Sequence, residues 1–385
     1  MSFYRLHQEQ ASKTIRTLQD NICVYAGISF NRYPVFYMGL AVFAAIAAHV
    51  FVLLLPLLFF LALLEVYNAM VNGVVDWLLV SIWLVVGAIA AFISYRCMHV
   101  KIAEPDGFTL TADNAPEMFR LIQQTGESFG RPAIHRVIVT GEYELDIRKV
   151  PKWVLPVWSS NVLVIGLPVL LCHTPEHFAC MVTRRVGQFS KRDNMVTNWL
   201  YQLRSIWPLY YSTLEKQRIA GTELPRWFYF VFTPLYCFVS TVAARKDELN
   251  ADSYAMDIYN HEIVRGMISA DTVYRYYLLH QYWPAAEKIY AISSDTIIAP
   301  HAKMTSAVRK RLSKEKIAEL MSVLIETEPS WKDDLPSLKS RLANIGHESP
   351  HMSVPDGDAA AAFYLGKSVD TVTDEIDRRW LAARV

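Results

Sequence analysis

Two runs without a single Asp, Glu, Lys or Arg, Val35 to Leu64 and Trp77 to Tyr95, constrain this chain more than any other feature. A helix rises 1.5 Å per residue, so each run is long enough to cross a hydrocarbon core about 30 Å thick. The first is longer than a crossing needs, and Pro56 offers a kink or tilt within it. No small-residue cleavage pattern follows the first run, so neither reads as a cleaved leader. With 52% hydrophobic residues over 385 positions, the chain is too apolar for a typical soluble protein yet too polar to lie wholly in a membrane. The expectation is a membrane anchor joined to a globular domain.

Flanking charge orients the anchor. Arg5, Lys13, Arg16 and Arg32 precede the first run, Arg96 and Lys101 follow the second, and the turn from Glu65 to Asp76 has no Lys or Arg. The positive-inside rule then predicts a helical hairpin with both ends, and everything after residue 100, on the cytoplasmic side. Five cysteines, Cys23, Cys97, Cys172, Cys180 and Cys237, form no CxxC pair, which fits a reducing compartment. A net charge of +1 gives no sign of nucleic-acid binding. The basic stretch Lys303, Arg309, Lys310, Arg311, Lys314 and Lys316 is a possible contact with an anionic leaflet, or a solvated helix face.

A third apolar stretch, Trp227 to Ala244, contains Thr233 and Pro234 and is bracketed by Arg226 and Arg245. It reads as a buried or membrane-grazing helix, with a third crossing as the alternative. The neighbouring Trp199 to Leu214 is interrupted by Arg204 and is too polar to cross. The remaining pattern predicts mixed α and β: a helix over Ala115 to Ser128, a strand over His135 to Thr140, and an apolar strand-like run over Val162 to Leu171. Beyond residue 245 helices dominate, and a last one covers Thr371 to Ala383 after a loosened, proline-punctuated segment starting at Lys332.

Two short segments carry the chemistry. Thr174-Pro175 is a helix start, with Thr as N-cap and Pro at the first helical position. Phe178, Met181, Val182, Val186 and Phe189 then form an apolar stripe, leaving Arg184 and Gln188 on its flank and Arg185 within it. Further on, Glu248 and Asp252 stand four apart on one helix face, inside Arg245-Lys-Asp-Glu-Leu-Asn-Ala-Asp252.

These segments resemble the membrane-anchored gluzincin peptidases of metallopeptidase family 48, which include bacterial HtpX and the CAAX prenyl endopeptidase. The likeness runs from about Pro105 onward. It rests on Ala115-Pro-Glu117, Val164-Ile-Gly-Leu-Pro-Val-Leu-Leu171, Thr174-Pro-Glu-His-Phe178, Gln188 to Arg204, the Glu248 helix, and Asp334-Leu-Pro-Ser-Leu-Lys-Ser-Arg-Leu342. The resemblance implies that Glu248 stands where the family has its third zinc ligand and Asp252 where an Asp orients the first ligand His. It also implies losses. Arg184 stands for the first ligand His, Arg185 for the general-base Glu, Gln188 for the second ligand His, and Leu335 for the His that assists at the scissile carbonyl, while Arg341 is kept.

A guanidinium donates hydrogen bonds only and stays protonated, so Arg184 and Arg185 can neither ligate a cation nor act as a base. Catalytic zinc ordinarily takes three protein ligands. Zinc is therefore expected to be lost, with Arg184 bridging Glu248 and Asp252 in its place. His173, Glu176 and His177 imitate a metal motif, but Pro175 starts the helix between the two histidines, so they read as cap or surface residues.

The expected architecture is α+β and mostly helical: a segment 1–33, a two-helix transmembrane hairpin 34–98, and a gluzincin-like peptidase domain 99–385 with a small sheet. The resemblance implies an inner-membrane protein of bacterial type with its main domain cytoplasmic. Three functions follow: a catalytically inactive homologue that binds a protein partner, a substrate segment, another copy or an active relative; an active metalloendopeptidase with substitute ligands; or an integral membrane structural protein.

Overall fold

The computed structural model describes residues 32–72, 76–98, 100, 105–130, 134–151, 159–190, 195–292, 299–329, 333–354 and 357–384. The N-terminal charges Arg5, Lys13 and Arg16, together with Cys23 and Lys101, lie outside the described residues, as does 191–194 of the resemblance.

The two uncharged runs form α1, Pro34–Val71, and α2, Trp77–Met98. Pro56 is accommodated inside α1, which remains one helix. The two pack closely where Gly87 faces Ala62: a Cβ at Gly87 would stand 2.9 Å from the Ala62 Cβ. Both helices are long and apolar enough to cross a membrane, and so is a third, Glu223–Met256.

After α2 come β1, Phe108–Leu110, α3, Pro116–Ser128, β2, Arg136–Thr140, β3, Leu145–Pro151, and β4, Ser159–Gly166. The sheet order is β1-β2-β4-β3, with β2 and β4 parallel and the outer pairs antiparallel. Among the described residues β3 is therefore an edge strand. Its sequence alternates: Leu145 and Ile147 are buried while Asp146 and Arg148 are half-buried on the other face, as a one-sided strand requires. The expected strand through Leu171 stops at Gly166. Pro168 at the start of a helix turns the chain into α4, Leu167–Cys172, because its locked φ and missing N–H suit a first helical turn better than a central strand.

The helices that follow are α5, Pro175–Ser190, α6, Met195–Gln217, α7, Glu223–Met256, and α8, His261–Tyr277. A single π-helical turn, Leu278–Tyr282, leads into α9, Trp283–Ile292, followed by α10, Pro300–Arg311, α11, Lys314–Leu324, α12, Leu338–Asn344, α13, Ala360–Leu365, and α14, Val369–Ala382. One large apolar core lies between a sheet face and the helices α3, α4, α5, α8 and α10 to α14. A second core joins Ala41, Ala45 and Ala48 of α1 to α6 and α7 around Trp207 and Tyr236. Arg204, which makes α6 a poor span, is buried here against the Cys237 carbonyl, Ser240 and Asp334.

Candidate functional site

The site is built where α5 crosses α7. Thr174 caps α5 by accepting from the His177 N–H at 3.3 Å. Gly187 sets the approach of the two helices, since a Cβ there would stand 2.8 Å from the Tyr254 Cβ and 3.1 Å from the Phe129 ring. Any larger residue would push α7 away from the arginines one turn earlier.

At this crossing Arg184 bridges both carboxylates of α7. Its Nε donates to Asp252 Oδ1 at 2.5 Å, and its Nη2 donates to Glu248 Oε2 and to the Glu248 carbonyl. Arg185 finds its acceptor in the other Glu248 oxygen, 2.6 Å away, and also donates to Gln188 Oε1 at 2.7 Å. Gln188 donates from its amide to Asp247 at 2.9 Å and to Glu248 at 3.1 Å. The apolar stripe Phe178, Met181, Val182 and Val186 is buried as expected, but the flanking Arg184 and Gln188 are buried too, and Arg185 is the more open of the three. The flank of α5 carrying Arg184 and Gln188 faces α7, while the stripe faces the core.

The network continues away from the crossing. Arg341 of α12 grips Asp252 with two bonds, 2.9 and 2.8 Å, the planar fork of a bidentate pair. Its remaining nitrogen lies 3.6 Å from Asp271 of α8. Asp271 accepts from Tyr143 at 3.0 Å, and the Tyr143 hydroxyl also meets His173 Nε2 at 2.8 Å. Since the one phenolic proton goes to Asp271, His173 donates from Nε2, and its buried Nδ1 has no partner among the described residues. His173 closes α4 as its C-cap residue, as expected, but is buried and not at the surface, and its ring meets that of the half-buried His177 edge-on with centroids 6.3 Å apart.

Charge is compensated throughout. Burial disfavours the guanidinium of Arg185, but Glu248 more than offsets this and holds its pKa above the ordinary arginine value. Arg341 is held high in the same way, against burial, by Asp252. Burial raises the Asp271 carboxyl, yet Arg275 and Arg341 outweigh it and bring its pKa down to about 2. Burial, aided by His177 and Arg275 and opposed by Asp271, brings His173 down to about 3, so it is neutral.

Beside the network opens a cavity of about 520 Å³. Arg185, Glu248, Leu335 and Arg341 line it, with Asp146 and Arg148 of edge strand β3 on one wall. All seven residues singled out from sequence therefore converge: four line this cavity, and Arg184, Gln188 and Asp252 are joined to them by hydrogen bonds. Asp247, Asp271, Tyr143 and His173 were missed. No local spacing connects them to α5, though a buried Asp on an apolar helix face was a usable signal for Asp271.

The donor set does not suit zinc. Glu248 and Asp252 are each spent on guanidinium groups, Arg184, Arg185 and Arg341 can only donate, and the one acceptor on Gln188 is taken by Arg185. Compared with protein-family models, with curated proteins and with solved structures, the chain has no match.

Proposed function

We propose that this chain is a membrane-anchored, catalytically inactive relative of the gluzincin peptidases that binds polypeptide without cutting it. The carrying observation is the Arg184 bridge between Glu248 and Asp252, at the positions where the family resemblance puts a zinc ligand and its orienting carboxylate. A dication and this guanidinium cannot share those oxygens. The general-base position is Arg185, whose guanidinium is paired with Glu248 and can take up no proton from a water.

The binding half of the proposal rests on what surrounds the bridge. An edge strand presents unpaired backbone N–H and C=O groups, to which an extended peptide can add as a further strand. β3 offers such an edge on the wall of the cavity. Leu335, standing where the family has a His, gives that wall an apolar contact and no proton. In this reading α1 and α2 are the anchor, the main domain is cytoplasmic, and the ligand is a segment of a membrane or membrane-proximal protein.

The test uses the full chain in nanodiscs with a photo-crosslinking residue at Arg148 or Leu335. Polypeptide adducts at these positions, with no cleavage product and no metal requirement, support the reading. Chelator-sensitive cleavage of peptides by the same preparation would establish the metalloendopeptidase instead.

A further inference from the structure

The length of α1 sets the problem. From Pro34 to Val71 it extends about 57 Å at 1.5 Å per residue, whereas the hydrocarbon core takes about 30 Å and helix tilts reach only about 40°. At least a dozen residues or so of α1 must therefore leave the core. α2 shows which ones. It pairs with the C-terminal part of α1, Gly87 against Ala62, and its uncharged run ends at Arg96. The N-terminal part of α1 continues past that level and packs on α6 and α7.

The turn between α6 and α7 meets the hairpin at the level of Arg96. The Arg96 Nε donates to the Ala220 carbonyl at 3.1 Å, Tyr210 donates to the Cys97 carbonyl at 3.2 Å, and Gly221 lies against the Phe92 ring. From this turn α7 rises beside α1, with Phe228 stacked on Phe51 at 3.8 Å. Its outer face at this point is a stripe at helical spacing, Leu224, Trp227, Phe230, Val231 and Leu235, with Trp227 66% and Phe230 61% exposed. Arg218 and Arg226 stand at the same end, each linked to Glu215 only at 3.8 Å.

We infer that this stripe is seated in the interfacial layer of the bilayer, continuous with the lipid-facing surface of α1 and α2. Trp227 lies at the boundary between hydrocarbon and headgroups, where indole rings are favoured, and Arg96, Arg218 and Arg226 reach lipid phosphates. The inference rests on reading α1 and α2 as the membrane anchor. Its consequence concerns the site. Glu248 is on the same continuous helix, about 25 Å along the axis from Val231, so seating α7 fixes the height of the cavity above the membrane. That height suits a polypeptide emerging from the bilayer.

Full-length protein in nanodiscs of mixed anionic and zwitterionic lipid, carrying a photo-crosslinking residue at one position at a time, tests this. Trp227 and Phe230 should give lipid adducts at least about tenfold above Val323, an exposed apolar position on α11. Leu57 and Leu84 of the hairpin should give lipid adducts as well. Yields at Trp227 and Phe230 no higher than at Val323, or adducts there to a second copy of the chain, overturn the seating while strong yields at Leu57 and Leu84 leave the anchor standing. Loss of lipid adducts at Leu57 and Leu84 too overturns the anchor and the seating together.

Discussion

Arg184 donates from Nε to Asp252 at 2.5 Å while Arg341 grips the same carboxylate from the opposite side, so that Asp252 ties α5, α7 and α12 together. Each group has left water to make this link, and its charge is tolerable only while the partners remain. Breaking a buried pair by removing one member typically costs about 3 to 5 kcal/mol, because the other is left uncompensated. Arg184→Ala should therefore lower the unfolding free energy of the full chain in detergent by about that amount. Arg184→Lys should recover only part of it, since an ammonium cannot reproduce the planar fork. Wild-type stability in Arg184→Ala would mean that the bridge does not hold the helices.

Gly187→Ala probes the same crossing through space alone. The new Cβ would meet Tyr254 at 2.8 Å, closer than two carbons tolerate, and Tyr254 is held by the packed helix on which it stands. Overpacking of this kind costs about 1 to 3 kcal/mol, and here it also lengthens the Arg184 bonds. Combined with Arg184→Ala, the second loss should be smaller than the sum of the two separately, as expected for neighbours that share one contact. Full additivity in a double-mutant cycle would separate the helix spacing from the bridge.

Acid should destabilise the protein in two windows. The Asp271 carboxyl is depressed to about 2 in the fold, against about 4 when unfolded. It contributes stability above pH 4 that is lost as pH falls from there toward 2, about 2 to 3 kcal/mol in all. His173 is depressed to about 3 by burial, against about 6.5 unfolded. The unfolded chain takes up its proton first, so this stability is present above pH 6.5 and lost as pH falls toward 3. His177, lowered by burial in the same direction, adds to the upper window. Tm measured from pH 7 to 3 should fall throughout for wild type, less steeply between 6.5 and 4 for His173→Phe, and less steeply below 4 for Asp271→Asn. A wild-type Tm that is flat between pH 6.5 and 4 contradicts the buried neutral His173.

Local rules made part of this molecule legible and distance hid the rest. Uncharged length located α1 and α2, Thr174-Pro175 located the start of α5, and the spacing of Glu248 and Asp252 put them on one face. The acceptor of Arg185 was not legible, because it depends on how α5 is rotated against α7 and not on the order of residues within either. Arg341, Asp271, Tyr143 and His173 lie in four separate stretches of the chain, and only folding makes them neighbours. Edge strand β3 was readable but passed over: its Leu-Asp-Ile-Arg alternation is a strand pattern, masked by the charges on its outer face. The run ending at Leu171 was misjudged because apolar continuity does not distinguish a buried strand from a buried helix, and Pro168 decides between them.

Chelation offers a further check. If charge and not coordination joins α5 to α7, prolonged treatment of the full chain with a strong chelator leaves its Tm unchanged, and added zinc does not raise it. Binding to the native state alone stabilises a protein in proportion to ligand occupancy, so a Tm that rises with zinc would reveal a metal site.

The central claim, that an arginine bridge stands in place of a metal, is tested most directly by zinc content. Elemental analysis should compare the full-length wild type with the triple variant Arg184→His, Arg185→Glu, Gln188→His, both purified without chelator. The account predicts no stoichiometric zinc in the wild type, and about one zinc per chain in the variant, whose two histidines and Glu248 would supply the three ligands a catalytic zinc takes. About one zinc per chain in the wild type would contradict it.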